Sequence, residues 1–294
     1  MAEFCHVPVL TSETLHFLDP KPGERFIDAT VGQGGHAEQI LSRILPGGRL
    51  LAIDRDATNL DTARRRLERF GDPATFVRDS YERLAHHAMV EGFEAADGIL
   101  LDVGFSSVHV EDPERGFSFQ AEGPLDMRYD TGQELMAAQI VNAWTKEELV
   151  RLFRVYGEEP QALRIAEAII QRRRKGAPFR TTTDLAETIA GTVPRRGRIH
   201  PATRVFQALR IAVNGELDAL QAVLPQAVGL LRPGGRLVVI SFHSLEDRIV
   251  KRFFKYASGA ELRILTKRVV TPTEDEIKKN ARARSAKLRA AERM

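Results

Sequence analysis

Short apolar runs recur along the chain at 26–27, 50–53, 75–77, 99–101 and 236–241, the pattern of buried parallel strands. Between the early runs lie stretches with helical periodicity. Ala37, Ile40, Leu41, Ile44 and Leu45 share one stripe, and Leu60, Ala63, Leu67 and Phe70 share another. Pro20 and Pro22 close a first helix over 11–18, Gly47-Gly48 stops the second, and a proline-glycine exit at 233–235 precedes the fifth strand. Strands alternating with helices predict an α/β fold with an open, wound parallel sheet.

The alternation stops after the fourth run. Residues 104–133 are glycine-rich, aromatic and charged, too apolar for disorder and too long for a plain connector. From about 134 to 189 only helical patterns occur, with capping boxes expected at Thr145/Glu148 and Asp184/Glu187. A helical domain inserted after the fourth strand is the expectation. The α/β pattern resumes at His200-Pro201 with one long helix carrying Val205, Phe206, Leu209, Val213, Leu217 and Leu220. Ser244 with Asp247 predicts the cap of the helix after the fifth strand, and 262–270 and 286–291 are the last expected strands.

Chemistry concentrates where strands end. Asp28, Asp54 and Asp102 close the first, second and fourth runs, the side on which open α/β sheets bind ligands. Gly32, Gly34 and Gly35 follow Asp28 and lead into a helix, a place where backbone approaches a ligand closely and offers unpaired N–H groups. The acid after the second strand suits a ribose diol. The loose Gly-x-Gly-x-x-Ala spacing also fits a dinucleotide. Asp28, however, would repel a pyrophosphate and suits the cationic methyl donor S-adenosylmethionine (SAM). A purely structural turn is the third reading, and each acid alone also serves as an ordinary helix cap. Tyr81 is placed either to face an adenine or to pack on the next helix. His243 falls on the rim of Asp102, as a substrate contact or a structural histidine.

The 294 residues carry a net charge of +3, with one cysteine, Cys5. That excludes an internal disulfide framework and a cysteine-rich zinc site, and no metal is expected. No apolar run reaches membrane-spanning length and the start carries no secretion pattern, so a cytoplasmic protein is expected. Nine basic residues against three acids between Arg164 and Arg198 make a nucleic-acid surface or a solvated face.

Several blocks together resemble a known family: DATVGQGGH (28–36), AIDRD (52–56), ILLDVGFSS (99–107), RGFSF (115–119), PLDMR (124–128), HPATRVFQALRIAVNGEL (200–217), PGGRLVVISFHSLEDRIVK (233–251) and NARARSAKLRAAER (280–293). They resemble the bacterial 16S ribosomal RNA cytosine-N4 methyltransferases, in order and over nearly the whole chain. The resemblance implies a Rossmann-like class I SAM-dependent methyltransferase domain (1–108 and 200–294) and a helical substrate-recognition insert (109–199). It implies methylation of a cytidine amine in the decoding region, with 16S rRNA or the small ribosomal subunit as partner, and leaves a homodimer open. Its SAM contacts fall on Gly34, Gly35, His36, Asp54, Tyr81 and Asp102, beside the Asp28 read from the sequence. A further SAM contact of the family, a glutamine, falls on His109, which can still hydrogen-bond, and Val108 stands where proline is usual. The resemblance names no catalytic base. Asp102, His243 and Ser106 are the candidates for handling the amine. Phe105 or Phe117 is expected to stack the base, and Arg172, Arg173, Arg174, Lys278 and Lys279 to hold the RNA backbone. An NAD-type oxidoreductase, a methyltransferase for another acceptor, and a non-enzymatic RNA-binding module that keeps SAM as a structural ligand are the rival readings.

Overall fold

The computed structural model describes residues 8–104, 107–195 and 200–294. Cys5, Phe105, Ser106, Arg196 and Arg198 lie outside the described residues. The chain divides into two compact units, one of Met1–Gly104 with Leu217–Met294, the other Phe105–Glu216.

The first unit holds a seven-stranded sheet. Its strands are β1 (Arg25–Asp28), β2 (Arg49–Asp54), β3 (Ala74–Arg78), β4 (Ala96–Asp102), β5 (Leu231–Ser241), β6 (Leu262–Ile264) and β7 (Lys287–Arg293). The spatial order is β3-β2-β1-β4-β5-β7-β6. The first five strands run parallel, and β7 is antiparallel to both of its neighbours. The chain steps outward from β1 to β3 and returns at β4, so β1 and β4 flank a topological switch point.

Period-two side-chain alternation divides the strands between two cores. Ile27, Leu51, Ile53, Ile99, Leu101, Leu237 and Val239 pack with Leu84, Ala88, Leu220, Leu224, Val250 and Phe254 on one face. Phe26, Leu50, Ala52, Leu100, Val238 and Ile240 pack with Leu18, Ile40, Leu41, Leu60 and Ala63 on the other. Both faces are covered, which explains why the strands read as unbroken apolar runs. Each fully buried Leu, Ile or Val contributes roughly 1.5–3 kcal/mol of transfer free energy, enough to hold the register against slippage.

The second unit has its own core, formed by helices Ala137–Ala143, Lys146–Val155, Ala162–Arg174, Thr182–Thr192 and Thr203–Asn214. Ile140, Leu149, Phe153, Ile165, Ile169, Phe179, Leu185 and Leu209 are fully or almost fully buried in it. The helix Thr203–Asn214, which the sequence groups with the returning α/β segment, gives Val205, Phe206, Leu209 and Val213 to this core.

Four local expectations change. The long helix is two, Thr203–Asn214 and Glu216–Leu230, because Gly215 at φ 62° ends the first with a left-handed cap. The sixth strand is Leu262–Ile264 only; Val270 makes an isolated bridge to Leu288. Thr181, not Asp184, caps the helix Thr182–Thr192, and His243, not Ser244, caps the helix Ser244–Ala257. In both helices the true cap lies upstream and its partner is the acid at the third helical position. No described helix is long and apolar enough to cross a membrane.

Candidate cofactor site

The site in the first unit begins with register. Asp28 pairs with Ala52 and Leu100, so Asp54 and Asp102 stand two residues beyond it on the neighbouring strands. Three carboxylates therefore share the carboxyl-end rim of β2, β1 and β4. The glycine loop is tied to this rim. Val31 N–H donates to Ile53 O at 2.9 Å, and Gly32 N–H donates to Asp54 Oδ2 at 2.9 Å. Gly32 and Gly34 have φ of 51° and 81°, the left-handed region where a side chain is strained. A Cβ on Gly34 would also press on the Ala63 backbone at 3.3 Å. The helix Gly35–Ile44 then starts with no side-chain cap. The first N–H groups of an α-helix have no partner within it, which makes this helix start a natural seat for a carboxylate.

Asp54 ties the rim together. Its Oδ1 accepts from Asp56 N–H at 2.8 Å and its Oδ2 from Asn59 Nδ2 at 3.3 Å. Asp102 N–H donates to Thr30 Oγ1 at 2.6 Å. Thr30, Asp56 and Asn59 are supporting residues the sequence reading missed. The signal for Thr30 and Asp56 is a polar residue two positions after Asp28 and after Asp54, the spacing of a side chain bonding back to its own turn, while Asn59 carries no such signal.

The electrostatics are unbalanced. Asp28 is 1 % exposed. Burial pushes its carboxyl up from 3.8 to about 7, opposed by the nearby His36 and by the Thr30 N–H, and reinforced by Asp102 and Asp54. Both ring nitrogens of His36 and Oδ1 of Asp102 are buried without a hydrogen-bond partner among the described residues. Buried polar atoms are nearly always satisfied, so three orphans beside crowded carboxylates mark a place shaped for a polar, cationic ligand. This set suits an ammonium and a sulfonium. It does not suit a pyrophosphate.

Tyr81 follows β3 at the start of a single turn and packs against the sheet core, half-buried. His243 caps its helix: its Nδ1 accepts from Glu246 N–H at 3.4 Å and its Nε2 lies 3.0 Å from Glu246 Oε1. Glu246 Oε2 accepts in turn from Phe242 N–H and His243 N–H at 2.8 and 3.1 Å. Lys278 and Lys279 are exposed on the helix Glu274–Lys279, with Lys278 paired to Asp275 at 3.1 Å.

In the second unit, His109 is 3 % exposed and stacks on Phe117 and Tyr129, centroids 4.9 and 5.2 Å away. Phe117 is half-buried in that stack. The three arginines of the run are not equivalent. Arg172 donates to Asp184 Oδ1 at 2.6 Å and Thr188 Oγ1 at 3.0 Å, and covers the Phe179 ring. Arg173 donates to Trp144 O at 2.6 Å. Only Arg174 of the three is exposed. Arg173 and Arg174 line a cleft of ≈ 470 Å³ with Asn142, Ile170, Gly176 and Pro178.

The distinctive sequence blocks of this unit build structure. Gly116, at φ 71°, lies where a Cβ would strike Pro124 O, and Met127 N–H donates to Arg115 O at 3.1 Å. Arg115 Nη2 donates to the carbonyls of Arg128 and Tyr129 at 3.1 and 3.0 Å. Arg210 grips Glu216 through two bonds of 2.8 Å, and Tyr129 Oη donates to the same carboxylate at 2.9 Å. Asn214 holds Met127 O at 2.7 Å and Tyr129 N–H at 2.8 Å.

Comparison with known proteins places this geometry in context. A family model described as the MraW methylase family matches residues 3–294. A ribosomal RNA small subunit methyltransferase H from Thermomicrobium roseum is 52% identical, covering 98% of this chain and 94% of that protein. A protein of the same name from Carboxydothermus hydrogenoformans is 46% identical, covering 99% of each. A solved Clostridium thermocellum structure aligns with TM-score 0.50 at 11% identity, over 98% of this chain and 100% of that one, and supports the fold alone.

Proposed function

The chain belongs to the MraW methylase family, and on that premise we propose that it methylates the exocyclic N4 amine of a cytidine in the decoding region of 16S ribosomal RNA. S-adenosylmethionine is the methyl donor. The acceptor class follows the name shared by the relatives, and the cytidine amine follows the sequence blocks of the 16S cytosine-N4 family. Such a substrate places the protein in the cytoplasm.

One observation carries the cofactor's seat: the carboxylates of Asp28, Asp54 and Asp102 on adjacent strand ends, with unpartnered His36 and Asp102 atoms among them. Asp54 takes the ribose diol. The N–H groups at Gly35 and His36 take the carboxylate, next to the turn at Gly34, whose own N–H is held by Val31 O at 2.8 Å. Asp28 and Asp102 face the cationic end, and Tyr81 lies against the adenine. When bound, the cofactor supplies an electrophilic methyl on a good leaving group.

The nucleophile is the harder part. The amine's lone pair is delocalised into the cytosine ring. Asp102, accepting a hydrogen bond from the NH₂, favours its pyramidal form and holds it in line. Positioning of this kind supplies up to roughly 7–11 kcal/mol in favourable cases. His243, fixed by Glu246, stands on the strand end next to Asp102 and is a positioning group. Phe105 or Phe117 stacks the base and Ser106 orients the amine. The base must leave its stack to reach the methyl. His109 is buried in its aromatic stack, so its role is to shape the insert, whereas Phe117 is only half-buried there.

The test is transfer of tritiated methyl from S-adenosylmethionine into unmethylated small ribosomal subunits, followed by nucleoside mass spectrometry. Label in N4-methylcytidine supports the reading. Label in another nucleoside, or in none, rejects it.

A further inference from the structure

The helix Ser244–Ala257 leaves the same rim that carries Asp102, because β5 runs parallel to β4 and pairs Ile240 with Asp102. Its buried face is Glu246, Val250, Phe254 and Ala257. At 100° per residue, Arg248, Lys251, Arg252, Lys255 and Tyr256 fall together on the opposite face, and all five are exposed. The two acids of the helix do not neutralise this face. Glu246 is buried at the cap, and Asp247 is clamped by Arg289 at 2.7 and 3.2 Å.

Most other arginines of this unit are already engaged. Arg66 and Arg69 pair with Glu38, Arg64 covers Phe76, Arg232 pairs with Asp97 and Arg263 with Glu292. Lys251, Arg252 and Lys255 form no ion pair or hydrogen bond among the described residues. Tyr256 is 87% exposed, although a large aromatic ring gains from burial. A cationic stripe with an open aromatic at its end matches a polyanion that carries flat bases. A bilayer fits less well, since the apolar face that would insert is turned into the core.

We propose that Lys251, Arg252, Lys255 and Tyr256 form an RNA-backbone contact surface on the methyltransferase unit, leading single-stranded ribosomal RNA toward the rim. The cations bind successive phosphates and the Tyr256 ring stacks a base. The inference rests on RNA being the methyl acceptor. It adds a second contact surface on the sheet-bearing unit to the insert arginines and the tail lysines that the sequence pointed to.

The test compares wild type with Lys251→Ala/Arg252→Ala/Lys255→Ala, and with Tyr256→Ala, using unmethylated small subunits and a single-stranded RNA oligonucleotide. Losing three phosphate contacts should lower the log–log salt slope of oligonucleotide binding by about 2. The KM for subunits should rise at least tenfold, while S-adenosylmethionine affinity holds. Restoring charge at all three positions with Lys251→Arg/Arg252→Lys/Lys255→Arg should return the slope. Unchanged slope and KM in a variant that folds, with an active wild type, would overturn the surface and leave a solvated face. Binding of wild type to phosphatidylglycerol vesicles that is lost in the triple variant, with RNA affinity unchanged, would overturn it in favour of lipid. A wild type that neither binds nor methylates RNA would instead defeat the acceptor assignment itself.

Discussion

His36 Nε2 lies 3.6 Å from Asp102 Oδ2, close enough for attraction and too far for a hydrogen bond. Neither nitrogen of that imidazole finds another partner among the described residues, and the ring is 6 % exposed. The ligand-free fold therefore carries an unmet polar cost at its centre, of roughly 1–3 kcal/mol per buried unsatisfied group. Replacing His36 with leucine should raise the melting temperature of the ligand-free protein while weakening S-adenosylmethionine about tenfold or more. Thermal unfolding with and without cofactor measures both. A variant that is less stable and binds normally would show that the ring is ordinary core.

Asp28 should make binding depend on pH. Burial raises its carboxyl from 3.8 to about 7. Between those values the folded, ligand-free protein keeps a proton that the unfolded chain has released. Stability therefore falls as pH rises from about 4 to about 7 and levels off above. A cation needs the carboxylate, so cofactor affinity should rise over pH 6 to 8 and then flatten. Asp28→Asn keeps the bond from Thr30 N–H and removes the titration. It should stabilise the ligand-free protein at pH 8 by up to about 4 kcal/mol, at roughly 1.4 kcal/mol per pKa unit, and its affinity should no longer vary with pH. Calorimetric titrations across that range decide the point.

The buried Arg210–Glu216 pair anchors the 124–128 block through Tyr129 and Asn214. Arg210→Met leaves a carboxylate buried without its counter-charge. The expected loss is about 3–5 kcal/mol, read as a lower denaturation midpoint. Adding Glu216→Gln should recover part of it. Equal stability of wild type and single variant would mean that water already reaches this carboxylate.

The three consecutive arginines should separate. Arg172→Ala removes the bonds to Asp184 and Thr188 and should cost roughly 1–3 kcal/mol of stability. Arg174→Ala should leave stability unchanged and weaken RNA binding, because that side chain is exposed at the cleft. Denaturation and filter binding on the two single variants resolve the roles. The reverse assignment would place the RNA contact at Arg172.

Much of this architecture was legible in the residues. Parallel strands covered on both faces must be apolar throughout, so 50–53 and 99–101 stood out and Asp54 and Asp102 marked their ends. Their register followed from the wound topology. What the sequence hid depends on local competition between caps. Ser244 and Asp184 are good cap residues by type, yet His243 and Thr181 hold the caps because Glu246 and Asp184 reach back to them from the third helical position. Gly215 broke a helix whose apolar stripe ran on across it. The division of labour within 172–174 was illegible, since three identical side chains differ only in what the fold places within reach of each.

An acidic rim at the carboxyl ends of β1, β2 and β4 holds the positively charged methyl donor. The most direct test of this is calorimetric titration of S-adenosylmethionine into wild type and Asp102→Ala at pH 8, with circular dichroism confirming both folds. The predicted result is one site per chain in the wild type and at least a tenfold weaker site in the variant. A wild type that takes up no S-adenosylmethionine, or an alanine variant that binds it equally well, would contradict the account.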